Sequence, residues 1–157
     1  MLSAAVERRR PKIRWARWLV VIWLGLLLSP NAYYFLPGSY WFVVDSIKIE
    51  NTTVRRSPLT LVDRTIKRPF HAKWIVTLKM QNANGGWYHY CNGVGENDYR
   101  TTVVLKPDLD LAWWMERDCG LLPGKYRAEF LWNIQMPNGK IKSIRRNSNV
   151  FEVKNGS

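Results

Sequence analysis

Histidine, cysteine and acidic residues are scarce in this 157-residue sequence, and this limits the chemistry available to the protein. It contains two histidines, two cysteines and 12 acidic residues, against 24 lysines and arginines, for a formal net charge of +12. It has no glycine-rich phosphate loop, no HExxH, no G-x-S-x-G and no plausible Ser-His-Asp or Cys-His set. It also lacks internal repeats and low-complexity tracts. We therefore predict no cofactor and no enzymatic activity.

The two cysteines, Cys91 and Cys119, are predicted to form a disulfide, because an even pair within one exported domain pairs in an oxidising compartment. The alternative is a metal site, since His89 and Cys91 alternate onto one face of a strand. Two ligands do not make a site, and the other histidine, His71, is far away in sequence. The sequence therefore predicts no bound metal.

The N-terminal segment combines a cationic cluster with an apolar run. Residues 8–17 hold six cations, residues 18–28 are apolar apart from one glycine, and apolar residues resume at 32–36. Flanking cations stay on the cytoplasmic side of a membrane, and a helix over residues 15–36 would rise about 33 Å, enough to cross it. This predicts a cytoplasmic tail at 1–14, a transmembrane signal anchor at 15–36 and an exported domain at 37–157, in an inner membrane. A cleaved signal peptide is the alternative.

The exported part alternates apolar and polar residues, as half-buried strands do. Trp74 to Met80 and Tyr126 to Met136 give the clearest alternation. Further strands are predicted at residues 40–50, 59–66, 87–91, 99–105, 140–145 and 150–153, separated by turn signals at 82–86, 92–95 and 137–140. About seven strands at this spacing predict an all-β fold, an antiparallel β-sandwich.

One motif resembles a known family. Leu121-Leu122-Pro123-Gly124-Lys125-Tyr126 opens the longest predicted strand. It resembles the tyrosine corner of fibronectin type III and immunoglobulin-like domains, in which a leucine and a Pro-Gly turn precede a tyrosine. The resemblance implies that the Tyr126 hydroxyl bonds to backbone in the preceding crossover. It also places Trp74 at the position of the buried tryptophan of such sandwiches.

The exported domain is basic. Residues 1–17 carry six cations and one acid, hence +5, which leaves +7 for the remainder. This charge suits lipid headgroups or acidic glycans, and exported placement makes nucleic acid the least suitable partner. The alternative is a solvated face that keeps the domain soluble. The cations chosen as candidate binding residues are Arg64, Lys67, Arg68, Lys140, Lys142, Arg145 and Arg146.

The crossover at residues 107–119 is unusual for its adjacent Trp113 and Trp114. Leu111, Trp114 and Met115 fall at helical spacing, so a short helical turn is predicted. Neighbouring residues cannot share one helix face, so either one tryptophan is exposed for binding or both pack under the disulfide-linked loop. The crossover also carries four acids, which either form a solvated loop or supply paired carboxylates for glycoside hydrolysis: Asp108, Asp110, Glu116 and Asp118.

Two functions follow from these features. The first is a membrane-anchored binding or assembly module that contacts the lipid bilayer and a protein or anionic envelope partner. As a whole, the chain resembles small uncharacterised signal-anchored envelope proteins of bacteria and of their phages or prophages. The alternative is a small membrane-bound hydrolase or glycan-processing enzyme that uses the acidic residues between Asp108 and Asp118.

Overall fold

The structure, a computed structural model, describes residues 13–28, 35–102, 106–115, 119–136 and 138–156. The chain forms two compact units, residues 1–36 and 37–157. Several predictions fall outside the described residues: most of the cytoplasmic tail, the end of the strand predicted at 99–105, Pro137 of the last turn, and two acids of the crossover, Glu116 and Asp118.

The N-terminal unit contains a 16-residue helix, α1 (Ile13–Leu28). No helix in the described part of the chain is both long and apolar enough to cross a membrane. The transmembrane helix predicted at residues 15–36 is therefore not found in that part, and residues 29–34 of the prediction lie outside the described residues.

The C-terminal unit is all-β, as predicted. A 3-10 turn at Gly38–Tyr40 leads into the strands, and a short helix, α2 (Leu111–Trp114), forms the helical turn predicted in the crossover. The strands are β1 (Phe42–Ile49), β2 (Thr52–Thr53), β3 (Leu59–Ile66), β4 (Phe70–Gln81), β5 (Trp87–Tyr99), β6 (Asp108–Asp110), β7 (Gly124–Gln135), β8 (Ile141–Asn147) and β9 (Phe151–Lys154).

These strands form two sheets. One has the order β1-β3-β6 and the other β2-β9-β7-β4-β5, with β8 also paired to β7. The described residues thus contain nine strands, two more than the seven or so predicted. β2 and β9 run parallel, so the predicted antiparallel arrangement is wrong for this one pair. The extra strands, β2 and β6, have only two and three residues, too few for an alternating pattern to show in the sequence.

The core consists mainly of the inward faces of β4 and β7, which are neighbours in the larger sheet. Every second residue of β7 from Tyr126 to Ile134 is buried, which follows from the two-residue period of a strand. Phe42 of β1 contacts Trp132 at 5.5 Å between ring centroids, joining the two sheets. Phe42 also contacts Phe70 and Tyr99, so the contact between the sheets is largely aromatic.

β5 corrects the sequence prediction. Residues 92–95, read as a turn because of their two glycines, continue a single 13-residue strand that pairs with β4 along its length. Gly95 lies opposite Trp74, and a Cβ atom at Gly95 would collide with the Trp74 indole ring. This glycine therefore provides space for an aromatic ring across the sheet instead of turning the chain.

Three side chains tie the first strands to residues distant in sequence. The register of β1 shifts between Val44 and Ser46, and the Val44 carbonyl there accepts a hydrogen bond from Nε of Arg146 at 2.9 Å. Asn149 bonds both backbone groups of Ile49, at 2.7 and 3.0 Å. Oδ1 of Asn51 accepts a hydrogen bond from the backbone of β9 at 2.7 Å.

The crossover before β7 is held at two points. The Tyr126 hydroxyl donates to the Leu122 carbonyl at 2.8 Å, as the tyrosine-corner motif predicts. Burial raises the pKa of this hydroxyl, so Tyr126 stays a neutral donor. Cys91 of β5 forms a disulfide with Cys119, and the predicted bridge is confirmed.

Candidate functional site

Four of the seven predicted binding cations lie at one end of the C-terminal unit, which we call the base. The base comprises the first residues of β1, β4 and β8 and the last residues of β3, β5 and β7, which pair with one another. Lys67 and Arg68 follow β3 directly, while Lys140 and Lys142 lie at the start of β8. Residues 37–41 lead into β1, so the chain also enters this unit at its base.

The base contains an aromatic and an exposed apolar side chain as well as its cations. The Arg68 guanidinium lies over the Tyr40 ring, 4.0 Å from its centroid, which fixes this cation close to the point where the chain enters. Ile141 is exposed between Lys140 and Lys142. The base therefore combines an exposed apolar side chain with cations on both sides of it.

The remaining three cations have structural contacts. Arg64 lies over the buried Trp114 ring at 5.3 Å, and burial lowers the pKa of its guanidinium. Arg145 pairs with Glu129, with its Nε 2.9 Å from the carboxylate. Arg146 bonds the Val44 carbonyl between the sheets. The structure therefore does not bring all seven cations together into one binding surface.

The tryptophan pair divides between core and surface. Trp114 is completely buried, whereas Trp113 is 52% exposed and stacks on Trp74 at 5.8 Å between centroids. Trp74 itself is buried, as the sandwich resemblance implies, and meets Trp114 edge-on at 5.2 Å. Of the two predicted arrangements, the structure has the one with a single exposed tryptophan. Trp113 presents an exposed indole that rests on a buried one.

The described acids of the crossover, Asp108 and Asp110, are exposed on the short strand β6, which pairs with the start of β3. No metal-binding group of three or more histidine, cysteine or acidic residues occurs among the described residues. Cys91 is committed to the disulfide, and Nδ1 of His71 lies 2.8 Å from the Asp98 carboxylate.

The sequence did not indicate a groove at the opposite end of the unit, which we call the top groove. It has a volume of about 530 Å³ and is lined by residues 54–58 and 119–122 together with Leu78, Leu111, Ala112 and Met115. None of these lining residues is acidic, so the carboxylates of β6 lie outside it. Its walls come from two loops more than 60 residues apart in sequence, and the only local signal was Arg55-Arg56 before Ser57-Pro58.

The walls of the top groove are fixed by contacts within the unit. The Cys119 side is held by the disulfide, by a hydrogen bond from Tyr90 to the Gly120 carbonyl, and by the Tyr126 hydroxyl. On the other side, Oγ of Ser57 accepts a hydrogen bond from the backbone of α2 at 2.9 Å. Both walls of the groove are thus held by contacts within the unit, and small-molecule sites are usually largely pre-formed in this way.

No protein-family model matches the sequence, and no curated protein matches it.

Proposed function

We propose that this protein is a non-enzymatic binding module, held at a membrane by its N-terminal unit and contacting the membrane surface with the base of its C-terminal unit. The observation that carries this proposal is the position of Lys67, Arg68, Lys140 and Lys142 at the end where the chain enters. Cations near an anionic lipid surface each contribute about 1 kcal/mol of attraction. Exposed Ile141 would enter the headgroup region between them.

The N-terminal unit supports membrane attachment through its composition. Residues 18–28 of α1 contain no charged side chain, and the large side chains of residues 18–27 are exposed. A helix that is apolar all round requires an apolar environment, either a protein core or a membrane. The cations before it orient such a segment with its N-terminus in the cytoplasm, and the disulfide suits an exported C-terminal unit.

For the C-terminal unit we propose an immunoglobulin-like sandwich. The hydrogen bond of Tyr126 to the preceding crossover and the burial of Trp74 support this. Such a fold implies no activity by itself, because sandwiches of this kind serve many functions. Exposed Trp113 is the proposed contact for a protein or envelope glycan, and the envelope proteins of bacteria and phages remain the class that the chain resembles. For the hydrolase alternative, the two described acids, Asp108 and Asp110, are exposed on β6 and do not line the groove.

The experiment uses the full chain reconstituted in vesicles that contain phosphatidylglycerol with a photoactivatable headgroup. We expect crosslinks at residues 67–68 and 138–142, and their yield should fall in Lys67→Glu/Arg68→Glu. Lys48→Glu/Lys125→Glu is the matched control. Both lysines are exposed, and both lie at the end of the unit opposite the base. Raising the salt concentration should weaken the crosslinking, since exposed charges are screened. Equal yields in the two variants would contradict the proposal.

Orientation is tested separately with protease added to spheroplasts. The C-terminal unit should be digested while the N-terminal cationic residues are spared. Full protection of the C-terminal unit would contradict export. Trp113→Ala should reduce capture of a crosslinked partner to the same extent at low and high salt, because stacking on an indole does not depend on ionic screening.

A further inference from the structure

We propose that the top groove binds an anionic amphiphile with a single alkyl chain, its chain on the apolar floor and its carboxylate or phosphate head at Arg55 and Arg56. This goes beyond the proposed membrane contact, because the groove and the base lie at opposite ends of the unit. The volume of about 530 Å³ falls within the range of small-molecule sites.

The floor of the groove is apolar and continuous with the core. Leu78 and Leu111 are almost completely buried, and Met115 is also buried. On the open side, Leu122 is exposed next to the tyrosine corner. An alkyl chain lying against Ala112, Met115 and Leu122 would remove its own apolar surface and theirs from water, which is favourable. Methionine adapts its shape to flexible chains.

Two arginines give one side of the groove's rim a positive charge. Arg55 and Arg56 both line it, both are exposed, and neither takes part in an ion pair among the described residues. Lys154 and Arg56 also line a smaller polar depression beside the groove. Guanidinium groups match carboxylates and phosphates with two parallel hydrogen bonds. Charge complementarity therefore selects an anionic head over a neutral one.

The backbone conformation of Arg55 is an independent indication that the groove is a binding site. Its φ of 72° is the only positive value among the described non-glycine residues. This conformation is unfavourable for a side chain with a Cβ atom, and such outliers concentrate at binding sites. The turn is held by a hydrogen bond from the backbone of Arg56 to the Thr53 carbonyl at 3.1 Å and by one from the Thr52 hydroxyl to the Arg56 carbonyl at 3.2 Å. Local contacts thus hold an arginine in a position where glycine would be easier to accommodate.

The test uses the full chain in nanodiscs of neutral phosphatidylcholine and a twelve-carbon fatty acid with a diazirine at the chain end. Photolabelling followed by mass spectrometry should place the label on the accessible apolar lining of the groove, at residues 112, 115 or 122. Dodecanoate and dodecyl phosphate should compete with the label at least tenfold better than dodecanol. Acetate, which has the head without the chain, should not compete. The order of the two anionic competitors assigns the head group, and either order supports the proposal.

Three variants make this test specific. Arg55→Gln/Arg56→Gln should raise the dodecanoate concentration needed for half-competition at least tenfold, whereas Lys48→Gln/Lys125→Gln should leave it unchanged. Ala112→Trp, at an exposed lining position, should block labelling by filling the groove. Melting curves confirm that each variant is folded. The proposal is overturned if dodecanol competes as well as dodecanoate, or if the label lies only outside the groove. It is also overturned if raising the protein concentration alone prevents labelling, because a second copy of the chain would then be the occupant.

Discussion

Substituting Gly95 by alanine tests how the tryptophan cluster is packed. A Cβ atom at this position would lie 2.6 Å from Cε2 of Trp74 and closer still to Cζ2, whereas ordinary contacts begin at 3.4 Å. The ring would have to move by about 1 Å, but Trp113 stacks on it and Trp114 meets it edge-on at 5.2 Å. Overpacking of this kind costs about 1–3 kcal/mol.

The net effect is smaller, because alanine restricts the unfolded chain more than glycine and returns about 0.5–1 kcal/mol. We therefore expect Gly95→Ala to destabilise the unit by about 1–2 kcal/mol. For a unit of this size, that loss lowers the melting temperature by about 4–8 °C. The measurement is a thermal melt of the full chain in detergent, followed by circular dichroism.

A double-mutant cycle identifies the cause of the loss. In a Trp74→Phe background the smaller ring leaves space at this position, so Gly95→Ala should cost little or even stabilise the protein. If the substitution costs the same in both backgrounds, the collision with Trp74 is not the reason for the glycine, and this account of β5 is wrong.

Three further predictions concern the contacts that hold the unit together. Cys119→Ser opens a bridge across 28 residues and should cost about 3–4 kcal/mol by the loop-entropy relation, measured by denaturant unfolding; two alkylatable thiols in the native protein would contradict the bridge. Tyr126→Phe removes the corner hydrogen bond and should cost about 1–2 kcal/mol, more than Tyr88→Phe on the exposed surface. The hydrogen bond from Lys79 lowers the pKa of Glu129 below its usual 4.5, so the folded state binds this proton less readily than the unfolded chain. The stabilisation is complete above pH 4.5 and is lost as the pH falls through the lowered pKa; Glu129→Gln should flatten the acid limb of the stability curve, and an unchanged acid limb would contradict the pairing.

The long central strands could be predicted from sequence because their burial alternates without interruption. β7 and β3 occur where the pattern placed them, and the tyrosine corner forms the predicted hydrogen bond. The first five residues of β5 were predicted as a strand, but its continuation through residues 92–95 was missed because the glycines there give a local turn signal. The reason for Gly95 is a tryptophan on another strand. Periodicity within one segment contains no information about such a neighbour.

The candidate site was only partly predictable for a similar reason. Sequence patterns separate cations from apolar residues, but they do not distinguish Lys67 at the surface from Arg64 over a buried ring or Arg146 between the sheets. The top groove was missed because its two walls meet only after the chain folds. For the tryptophan pair, the sequence predicted that one member faces outward if the other is buried. It did not say which one, and the structure shows that Trp113 is exposed.

The bonds from Arg146, Asn149 and β9 to the first strands span 100 to 102 residues of sequence. Closing loops of this length is slow, because the entropy of the intervening chain is lost before any contact compensates for it. β2 and the bulge of β1 therefore obtain these partners only after the last strands of the unit have been synthesised. During synthesis, the first strands therefore stay incompletely hydrogen-bonded, and the rate at which the chain is made sets how long they are accessible to chaperones and proteases.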